Sequence, residues 1–349
     1  MQNEQNPMGT DGFEFVEFAA SDFTELEDLF FKMGFAKIAR HKSKNVNLYR
    51  QGDINFIINA EPDSHAWKFQ KEHNSSVNSI AFRVKDAAYA FKRAIELGAT
   101  PHISEARAME INIPAIEGIG GSLIYFVDMY GEKNIYDIDF VPEKDIAHPH
   151  TGNGLTYIDH LTHNVQRGNM DKWASFYEKY FNFKEIRYFD IEGKLTGLVS
   201  RAMTSPCGKI RIPINESTDE KSQIEEFLKE YNGEGIQHIA LGTDDIYETV
   251  DGITTNGIKF MDTPDTYYAN VEKRIPGHNE NLEDLKKLSI LIDGKKDDLL
   301  LQIFTENLIG PVFFEIIQRK GNEGFGEGNF QALFESIEQD QIKRGTLKN

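Results

Sequence analysis

The chain has 349 residues, enough for two domains of ordinary size, each with a substantial apolar core. Its 38 basic and 56 acidic residues give a formal net charge of −18, which disfavours binding to nucleic acid or to an anionic membrane. The amino end is polar, and no apolar run approaches the roughly 20 residues that span a bilayer, so we expect a cytoplasmic protein. The single cysteine, Cys207, excludes an intrachain disulfide framework.

Strand and helix patterns follow one another along the chain, and the same series occurs twice. The first half predicts a strand, a helix and three further strands, at residues 15–18, 22–33, 77–82, 122–129 and 135–140. The second half repeats them at residues 157–161, 170–181, 236–241, 299–305 and 313–318. The strand at 77–82 aligns without gaps to the strand at 236–241, so the chain reads as a duplicated βαβββ unit.

The stretch between the two units has the composition of a linker. Residues 141–154 contain Pro142, Pro149, Gly152 and Gly154 among polar neighbours. We therefore predict a first domain at residues 1–150 and a second at residues 151–349. The expected fold class is α+β, with duplicated βαβββ modules whose mixed sheets curl into two open, barrel-like domains around cavities.

Three residues with metal-binding side chains lie in short apolar runs of the second half: His160, His238 and Glu315. Two imidazoles and one carboxylate on rigid strands form a three-point face suited to ferrous iron, with coordination positions left open. A single strand histidine is more often structural, and Glu315 could instead face solvent from an edge strand. Burial of Glu315 between Phe314 and Ile316 would be costly without a partner, which favours ligation.

The internal repeat indicates which half carries the metal. Opposite His160, His238 and Glu315 we align Glu17, Ser79 and Asp137 of the first half, which cannot supply the same ligand set. The first domain is therefore expected to be structural and without metal.

Strand alternation separates the two neighbouring histidines of the second half. It places Ile158, His160 and Thr162 on one face of their strand and Tyr157, Asp159 and Leu161 on the other. His163, three residues after His160, is then predicted to face away from the metal.

Several motifs together resemble the 4-hydroxyphenylpyruvate dioxygenase family, bacterial type, of the vicinal oxygen chelate (glyoxalase-like) superfamily. The motifs lie at residues 158–164 (IDHLTHN), 235–240 (GIQHIA), 313–320 (FFEIIQRK) and 324–330 (GFGEGNF), and the likeness extends over nearly the whole chain. This resemblance implies one Fe(II) per subunit, held by His160, His238 and Glu315. It also implies conversion of 4-hydroxyphenylpyruvate and O2 to homogentisate and CO2 in tyrosine and phenylalanine catabolism, by a homodimer or homotetramer.

The resemblance also implies the residues around the iron. Expected catalytic contacts are the polar or aromatic side chains of Ser200, Asn215, Gln223, Gln302 and Phe304. The expected substrate pocket adds Pro213, Gln237, Phe325 and Phe330. Uncharged hydrogen-bonding groups and phenyl rings suit a phenol and a keto acid.

The glycine-rich run at 324–328 is interpreted as a hinge rather than a phosphate cradle, because no lysine follows it and two glutamates would repel an anion. It leads to a predicted lid helix, in which Phe330, Leu333, Phe334 and Ile337 fall at helical spacing.

Other functions of the same fold stay open. 4-Hydroxymandelate synthase would share the iron site and substrate but oxidise the benzylic carbon, although Pro213 and Asn215 favour the dioxygenase pattern. An extradiol dioxygenase or a glyoxalase-like isomerase would share the repeat without the combined motifs. A non-catalytic module that binds a small aromatic would be expected to have a broken ligand triad, and this triad is intact.

Overall fold

The computed structural model describes residues 5–103, 106–107, 110–144, 151–192, 197–218, 220 and 222–332. Two eight-stranded sheets form within these residues, one in each half of the chain. The first sheet contains β1 (Phe13–Ala19), β2 (Ala36–His41), β3 (Val46–Gln51), β4 (Ile54–Asn59), β5 (Ser76–Arg83), β6 (Ala115–Glu117), β7 (Leu123–Val127) and β8 (Phe140–Pro142). The second contains β9 (Leu155–Val165), β10 (Lys184–Glu192), β11 (Gly197–Thr204), β12 (Arg211–Ser217), β13 (Gly235–Thr243), β14 (Leu291–Lys295), β15 (Asp298–Phe304) and β16 (Phe313–Lys320).

Helices connect the strands. The first half contains α1 (Thr24–Lys32), α2 (His65–His73), α3 (Ala87–Glu96), a 3-10 turn (Ile119–Gly121) and α4 (Tyr136–Asp139). The second half contains α5 (Met170–Phe181), α6 (Gln223–Tyr231), α7 (Ile246–Thr255), α8 (Asp265–Ala269), α9 (Val271–Arg274) and α10 (Leu282–Lys287). Local signals fix several ends: the Ser222 side chain caps the start of α6, and Asn182 ends α5 in the left-handed conformation. Within the described residues, no helix combines the length and apolar character that crossing a bilayer requires.

The two sheets share the arrangement of seven strands and differ in one added edge strand each, β8 in the first and β14 in the second. Their strand orders are β6-β7-β5-β1-β4-β3-β2-β8 and β10-β11-β12-β9-β13-β16-β15-β14. In the first sheet β1 runs antiparallel to β5 and parallel to β4, and in the second β9 runs antiparallel to β13 and parallel to β12. The predicted α+β fold of duplicated modules with curled sheets is therefore confirmed.

The two halves pack against each other through apolar and polar contacts. A continuous apolar core includes residues of both sheets, and Phe56 of β4 contacts Phe314 of β16, with 6.1 Å between ring centroids. The His73 ring stacks on Tyr231, and its Nδ1 lies 2.8 Å from the Tyr231 carbonyl oxygen. The buried Gln51 side chain accepts a hydrogen bond of 2.7 Å from the backbone N–H of Asn153. Residues 145–150, where we place the domain boundary, lie outside the described part of the chain.

One predicted strand, at residues 135–140, is wrong. The chain forms the short helix α4 there, because the Asn134 side chain accepts hydrogen bonds from the backbone N–H groups of Tyr136 and Asp137 and turns the chain. The counterpart of β16 is instead β7, since β7 pairs in parallel with β5 as β16 pairs in parallel with β13. The prediction that strands 122–129 and 299–305 correspond is wrong for the same reason.

Candidate metal centre

Three adjacent strands of the second sheet bring His160, His238 and Glu315 together. On the central strand β13, Ala240 pairs with His160 of β9 on one side and with Glu315 of β16 on the other. Directly paired residues share a face of a sheet, and so do residues two positions apart on one strand, which puts His238 on the face of Ala240. The small side chain of Ala240 leaves space between the two longer side chains that flank it.

The donor atoms of these three residues converge. The Nε2 atom of His160 lies 3.2 Å from Oε2 of Glu315, and the Nε2 atom of His238 lies 3.4 Å from the same oxygen. One ligand atom from each residue lies within 4.8 Å of the other two, and all three side chains are buried. The geometry therefore suits a single metal ion bound by three protein ligands.

A β-bulge precedes each histidine and supplies a hydrogen-bond acceptor for its other ring nitrogen. The register between β9 and β13 skips Asp159 on one strand and Gln237 on the other. Asp159 Oδ1 lies 2.8 Å from Nδ1 of His160, and Gln237 Oε1 lies 3.2 Å from Nδ1 of His238. Bulges turn side chains away from regular alternation, and an acceptor at Nδ1 keeps the proton there, so that Nε2 presents its lone pair to a metal.

The bulge also corrects the alternation that the sequence predicted. Ile158 pairs with Leu241 while His160 pairs with Ala240, so Ile158 and His160 face opposite sides of the sheet. The predicted orientation of His163 away from the metal is confirmed, since its Nε2 atom lies 2.6 Å from the Tyr177 hydroxyl of α5. Burial lowers the pKa of His163 to about 3, so this histidine is a neutral core residue.

Asp159 is a buried carboxylate held by a guanidinium. Arg319 of β16 donates to both of its oxygens, from Nε at 2.7 Å and from Nη2 at 2.8 Å. The Nη1 atom of Arg319 donates to the carbonyls of Asn322 and Gly324, at the start of the glycine-rich run. One bidentate ion pair therefore links the His160 ring to the loop that follows the last strand.

The electrostatics of the cluster reflect the competition between burial and charge. Burial alone would raise the pKa of Glu315, but the two histidines outweigh it and lower that pKa. For His160, burial favours a lower pKa, but Glu315 and Asp159 outweigh it, and the pKa is raised. For His238, burial dominates and lowers the pKa. Burial likewise opposes ionisation of Asp159, but Arg319 and His160 hold its pKa well below the ordinary value.

Aromatic rings surround the three ligands. The Phe325 ring centroid lies 5.3 Å from that of His160, and Phe304 lies 6.2 Å from both His238 and Phe330. Phe313, to which the sequence assigned no role, stacks on His238 at 4.8 Å. The predicted pocket residues Phe304, Phe325 and Phe330 thus lie in one cluster beside the ligands.

Gln302 occupies a fully buried position, and neither atom of its amide has a hydrogen-bond partner among the described residues. Its β15 neighbour Phe304, two positions on, pairs with Glu315, so both predicted residues face the ligand side. Gly326 packs directly on this amide: a Cβ there would lie 1.8 Å from Oε1 of Gln302, and its φ is +77°. The glycine is needed for this close approach, which explains one glycine of the predicted hinge.

The remaining predicted residues lie on β11, β12 and α6. Ser200 pairs with Asn215, and Pro213 lies two positions before Asn215, so these three residues share one face of two neighbouring strands. Gln223, the first residue of α6, is exposed. The structure therefore does not place Gln223 beside the buried ligands. The Phe330 side chain is half-buried in the helical residues 327–332, while Leu333, Phe334 and Ile337 of the predicted lid helix lie outside the described residues.

Two polar residues of β9 had no site role in the sequence analysis, which only placed Thr162 on the face of His160. Asn164 and Thr162 alternate with His163 and therefore face the same side as His160, and both are buried. The amide atoms of Asn164 and the Thr162 hydroxyl have no hydrogen-bond partner among the described residues. Thr162 and Asn164 lie two and four positions after His160, which the sequence shows. The lack of hydrogen-bond partners for their side chains depends on the tertiary structure, which the sequence pattern does not show.

The strand register also corrects the residues assigned to the first half. Ala81 pairs with Phe15 and with Tyr125 as Ala240 pairs with His160 and with Glu315. The equivalents of the three ligands are therefore Phe15, Ser79 and Tyr125, and the predicted equivalents Glu17 and Asp137 are wrong. The error at Glu17 is a shift of two positions, which preserves the face of the strand. None of these three side chains offers an imidazole or carboxylate.

Family models match both halves. Residues 4–141 match the model described as hydroxyphenylpyruvate dioxygenase, HPPD, N-terminal, and residues 157–275 match the glyoxalase/bleomycin resistance protein/dioxygenase superfamily. Together with the sheets and the two-histidine, one-glutamate cluster, these matches define a protein of that superfamily with a metal-binding second half.

Full-length relatives narrow the assignment. The chain is 60% identical to 4-hydroxyphenylpyruvate dioxygenase of Pseudomonas aeruginosa, over 99% of this chain and 98% of that protein. It is 64% identical to hemolysin VllY of Vibrio vulnificus, with the same coverage. A solved triple mutant of 4-hydroxymandelate synthase from Streptomyces coelicolor superposes with a TM-score of 0.80 at 25% identity, over 96% of this chain and 100% of that chain. The chain belongs to the 4-hydroxyphenylpyruvate dioxygenase family.

Proposed function

We propose that this chain is an iron(II)-dependent 4-hydroxyphenylpyruvate dioxygenase, which converts 4-hydroxyphenylpyruvate and O2 to homogentisate and CO2. The observation that carries the proposal is the buried convergence of His160, His238 and Glu315 in a family member 60% identical to a dioxygenase of that name. One Fe(II) per subunit is the proposed cofactor, and a cytoplasmic homodimer or homotetramer is the proposed form.

The donor set fits this metal. Two neutral imidazoles and one carboxylate on one side, with the other side open, are the ligand pattern of non-haem iron(II) oxygenases. The Oε1 atom of Glu315 is buried without a hydrogen-bond partner among the described residues, which a bound cation would compensate. When bound, iron(II) supplies the electrons that activate O2 for decarboxylation of the keto acid and hydroxylation of the ring.

The protein's own residues position the reactants. Asp159 and Gln237 hold the two histidine rings from behind, and Phe304 and Phe325 provide faces against which the substrate ring packs. The unsatisfied amides of Gln302 and Asn164 are the proposed hydrogen-bonding groups for the polar ends of the substrate, because burying them without a partner is costly.

The other predicted pocket residues have proposed secondary roles. Ser200, Asn215 and Pro213 form the wall on β11 and β12. Gln223 and Phe330 are proposed as further contacts of the substrate. The first domain, residues 1–150, is proposed to be structural, and the second, residues 151–349, is proposed to be catalytic.

Product analysis tests the function directly. Purified apoprotein is incubated with Fe(II), 4-hydroxyphenylpyruvate and O2, and the products are separated by chromatography. Homogentisate is the expected product. Hydroxymandelate would select the synthase reaction instead, and an unchanged substrate would favour a binding module.

Variants at the ligands link the activity to the site. Alanine at His160, His238 or Glu315 is expected to remove both bound iron and turnover. The matched control is His163→Gln, which removes a buried histidine from the same strand on the opposite face and is expected to retain iron. Full turnover in any ligand variant would contradict the proposal.

A further inference from the structure

The first half contains a cavity of about 450 Å³ at the position that corresponds to the metal-ligand cluster of the second half. Its walls include the aromatic and aliphatic side chains of Phe15, Val46, Ile57 and Tyr125. Phe15 and Tyr125 occupy the strand positions of His160 and Glu315. Aromatic rings therefore line the first-half cavity at the positions where the second half has candidate metal ligands. A volume of this size accommodates a compound with a single ring.

Glu17 is a buried ionisable side chain in the lining of this cavity. Glu17 is only 9% exposed, and its Oε1 atom accepts hydrogen bonds from Nδ2 of Asn78 at 2.6 Å and of Asn59 at 3.3 Å. Burial raises its pKa, and the hydrogen bonds from the two amides offset that effect only in part. Glu17 is thus a buried carboxyl group in contact with uncharged donors.

The cations in the cavity lining are engaged elsewhere. Lys44 forms an ion pair of 2.8 Å with Glu110, and Arg107 forms one of 2.6 Å with Glu61. No salt bridge to Glu17 occurs among the described residues. The charge of Lys44 lowers the pKa of Glu17, but Lys44 lies beyond salt-bridge distance from it, so the buried carboxyl group has no cation in direct contact among the described residues.

We propose that this cavity is a second binding site, which takes a small aromatic amine with its ammonium group at Glu17 and its ring packed against the contacting rings of Phe15 and Tyr125. The two wall rings lie 5.7 Å apart between centroids, and rings of this kind attract both a third ring and a nearby cation. The ligand supplies a positive charge in direct contact with Glu17, whereas Lys44 acts on it only from beyond salt-bridge distance. The inference does not depend on the proposed dioxygenase activity.

Calorimetric titration of the iron-loaded protein tests the site with two probes of nearly equal shape. 2-Phenylethylamine carries an ammonium group, and 2-phenylethanol replaces it with a hydroxyl. The amine is expected to bind at least about tenfold more tightly than the alcohol, a difference of about 1.4 kcal/mol. Absence of amine binding, or equal binding of both probes, would overturn the proposal.

Two variants locate the bound amine. Glu17→Gln keeps the acceptor for Asn78 and Asn59 but removes the charge, and is expected to weaken amine binding about tenfold while leaving the alcohol unchanged. His160→Ala alters the metal-ligand cluster of the second half and is expected to leave amine affinity unchanged. The reverse pattern, loss in His160→Ala and none in Glu17→Gln, would assign the amine to the metal-ligand cluster and refute the second site.

A third variant covers the case in which Glu17→Gln does not fold, as judged by its thermal transition. Val46→Phe adds a ring to the cavity wall without removing a polar partner of Glu17, and is expected to abolish amine binding. Unchanged affinity in a folded Val46→Phe protein would contradict occupancy of this cavity.

Discussion

Replacement of Asp159 by asparagine changes one buried oxygen into an NH2 group at the point where the side chains of Arg319, His160 and Tyr157 meet. In the native protein the carboxylate accepts from Arg319 at 2.7 and 2.8 Å and from His160 at 2.8 Å. An amide has a single oxygen and cannot accept from all of these donors. Whichever way the amide is turned, its NH2 group therefore faces an N–H of Arg319 or of His160.

Two effects with separate magnitudes follow from this substitution. Breaking a buried ion pair while one charge remains destabilises a protein by about 3–5 kcal/mol, and the Arg319 side chain is only 8% exposed. Loss of the acceptor behind a histidine ligand weakens metal binding by about 10–100-fold. That range corresponds to about 1.4–2.7 kcal/mol in binding free energy.

Two measurements separate these effects. Urea denaturation of the metal-free protein gives the change in the free energy of unfolding, and competition with a chelator of known affinity gives the change in iron binding. The matched control is Glu14→Gln, which disrupts a buried carboxylate–arginine pair in the first half, where Arg83 Nε donates to Glu14 at 2.6 Å. The control is expected to lose stability and to keep native iron affinity. An amide oxygen at the Oδ1 position would still accept from His160, so Asp159→Ala, which leaves no acceptor there, is measured in parallel. Unchanged iron affinity in both variants would refute the inference that Asp159 positions His160.

Three further substitutions test the register, the glycine contact and the buried acid. Ala240→Val is expected to lower iron affinity at least about tenfold because it fills the space between the ligands, whereas Ala81→Val, at the equivalent buried position of the first sheet, should retain it by chelator competition. Gly326→Ala is expected to raise KM more than about tenfold, because a Cβ would lie 1.8 Å from Oε1 of Gln302. Gly131→Ala, where φ is +83° and the space around a Cβ is open, controls for backbone strain. Burial raises the pKa of Glu17, so its stabilising contribution is present below the ordinary value of 4.5 and lost as pH rises through the folded-state value. Glu17→Gln should therefore gain unfolding free energy relative to the native chain between acidic and neutral pH, and a constant difference would contradict this.

The sequence was sufficient to predict the duplication and the cluster of three candidate metal ligands, because both depend on local patterns. Short apolar runs contain His160, His238 and Glu315, and a gapless match between two strands revealed the repeat. The wrong strand at 135–140 shows the limit of the same reasoning. The Asn134 side chain accepts hydrogen bonds from backbone N–H groups at the start of this segment, which forms a helix. These hydrogen bonds do not alter the hydrophobic pattern of the sequence.

The bulges at Asp159 and Gln237 could not be predicted from alternation, because regular period-two patterning is the assumption that they violate. Their effect is nevertheless decisive for the site. With regular pairing, Asp159 would face away from the His160 ring, and Arg319 would have no carboxylate to join. The residue before each ligand histidine therefore has a positioning role that only the strand register reveals.

The strand register also shows how one unit has given two kinds of cavity. Alanine lies at the centre of both, as Ala81 in the first half and Ala240 in the second, so the space between the flanking side chains is common to the two sheets. In the second half the flanking positions carry an imidazole and a carboxylate, which a cation can join. In the first half they carry rings, and the carboxyl group of Glu17 lies two strand positions away on the same face. Both hollows thus contain a buried carboxyl group, and the chemistry of its neighbours decides whether the proposed cation is a metal ion or an organic ammonium group.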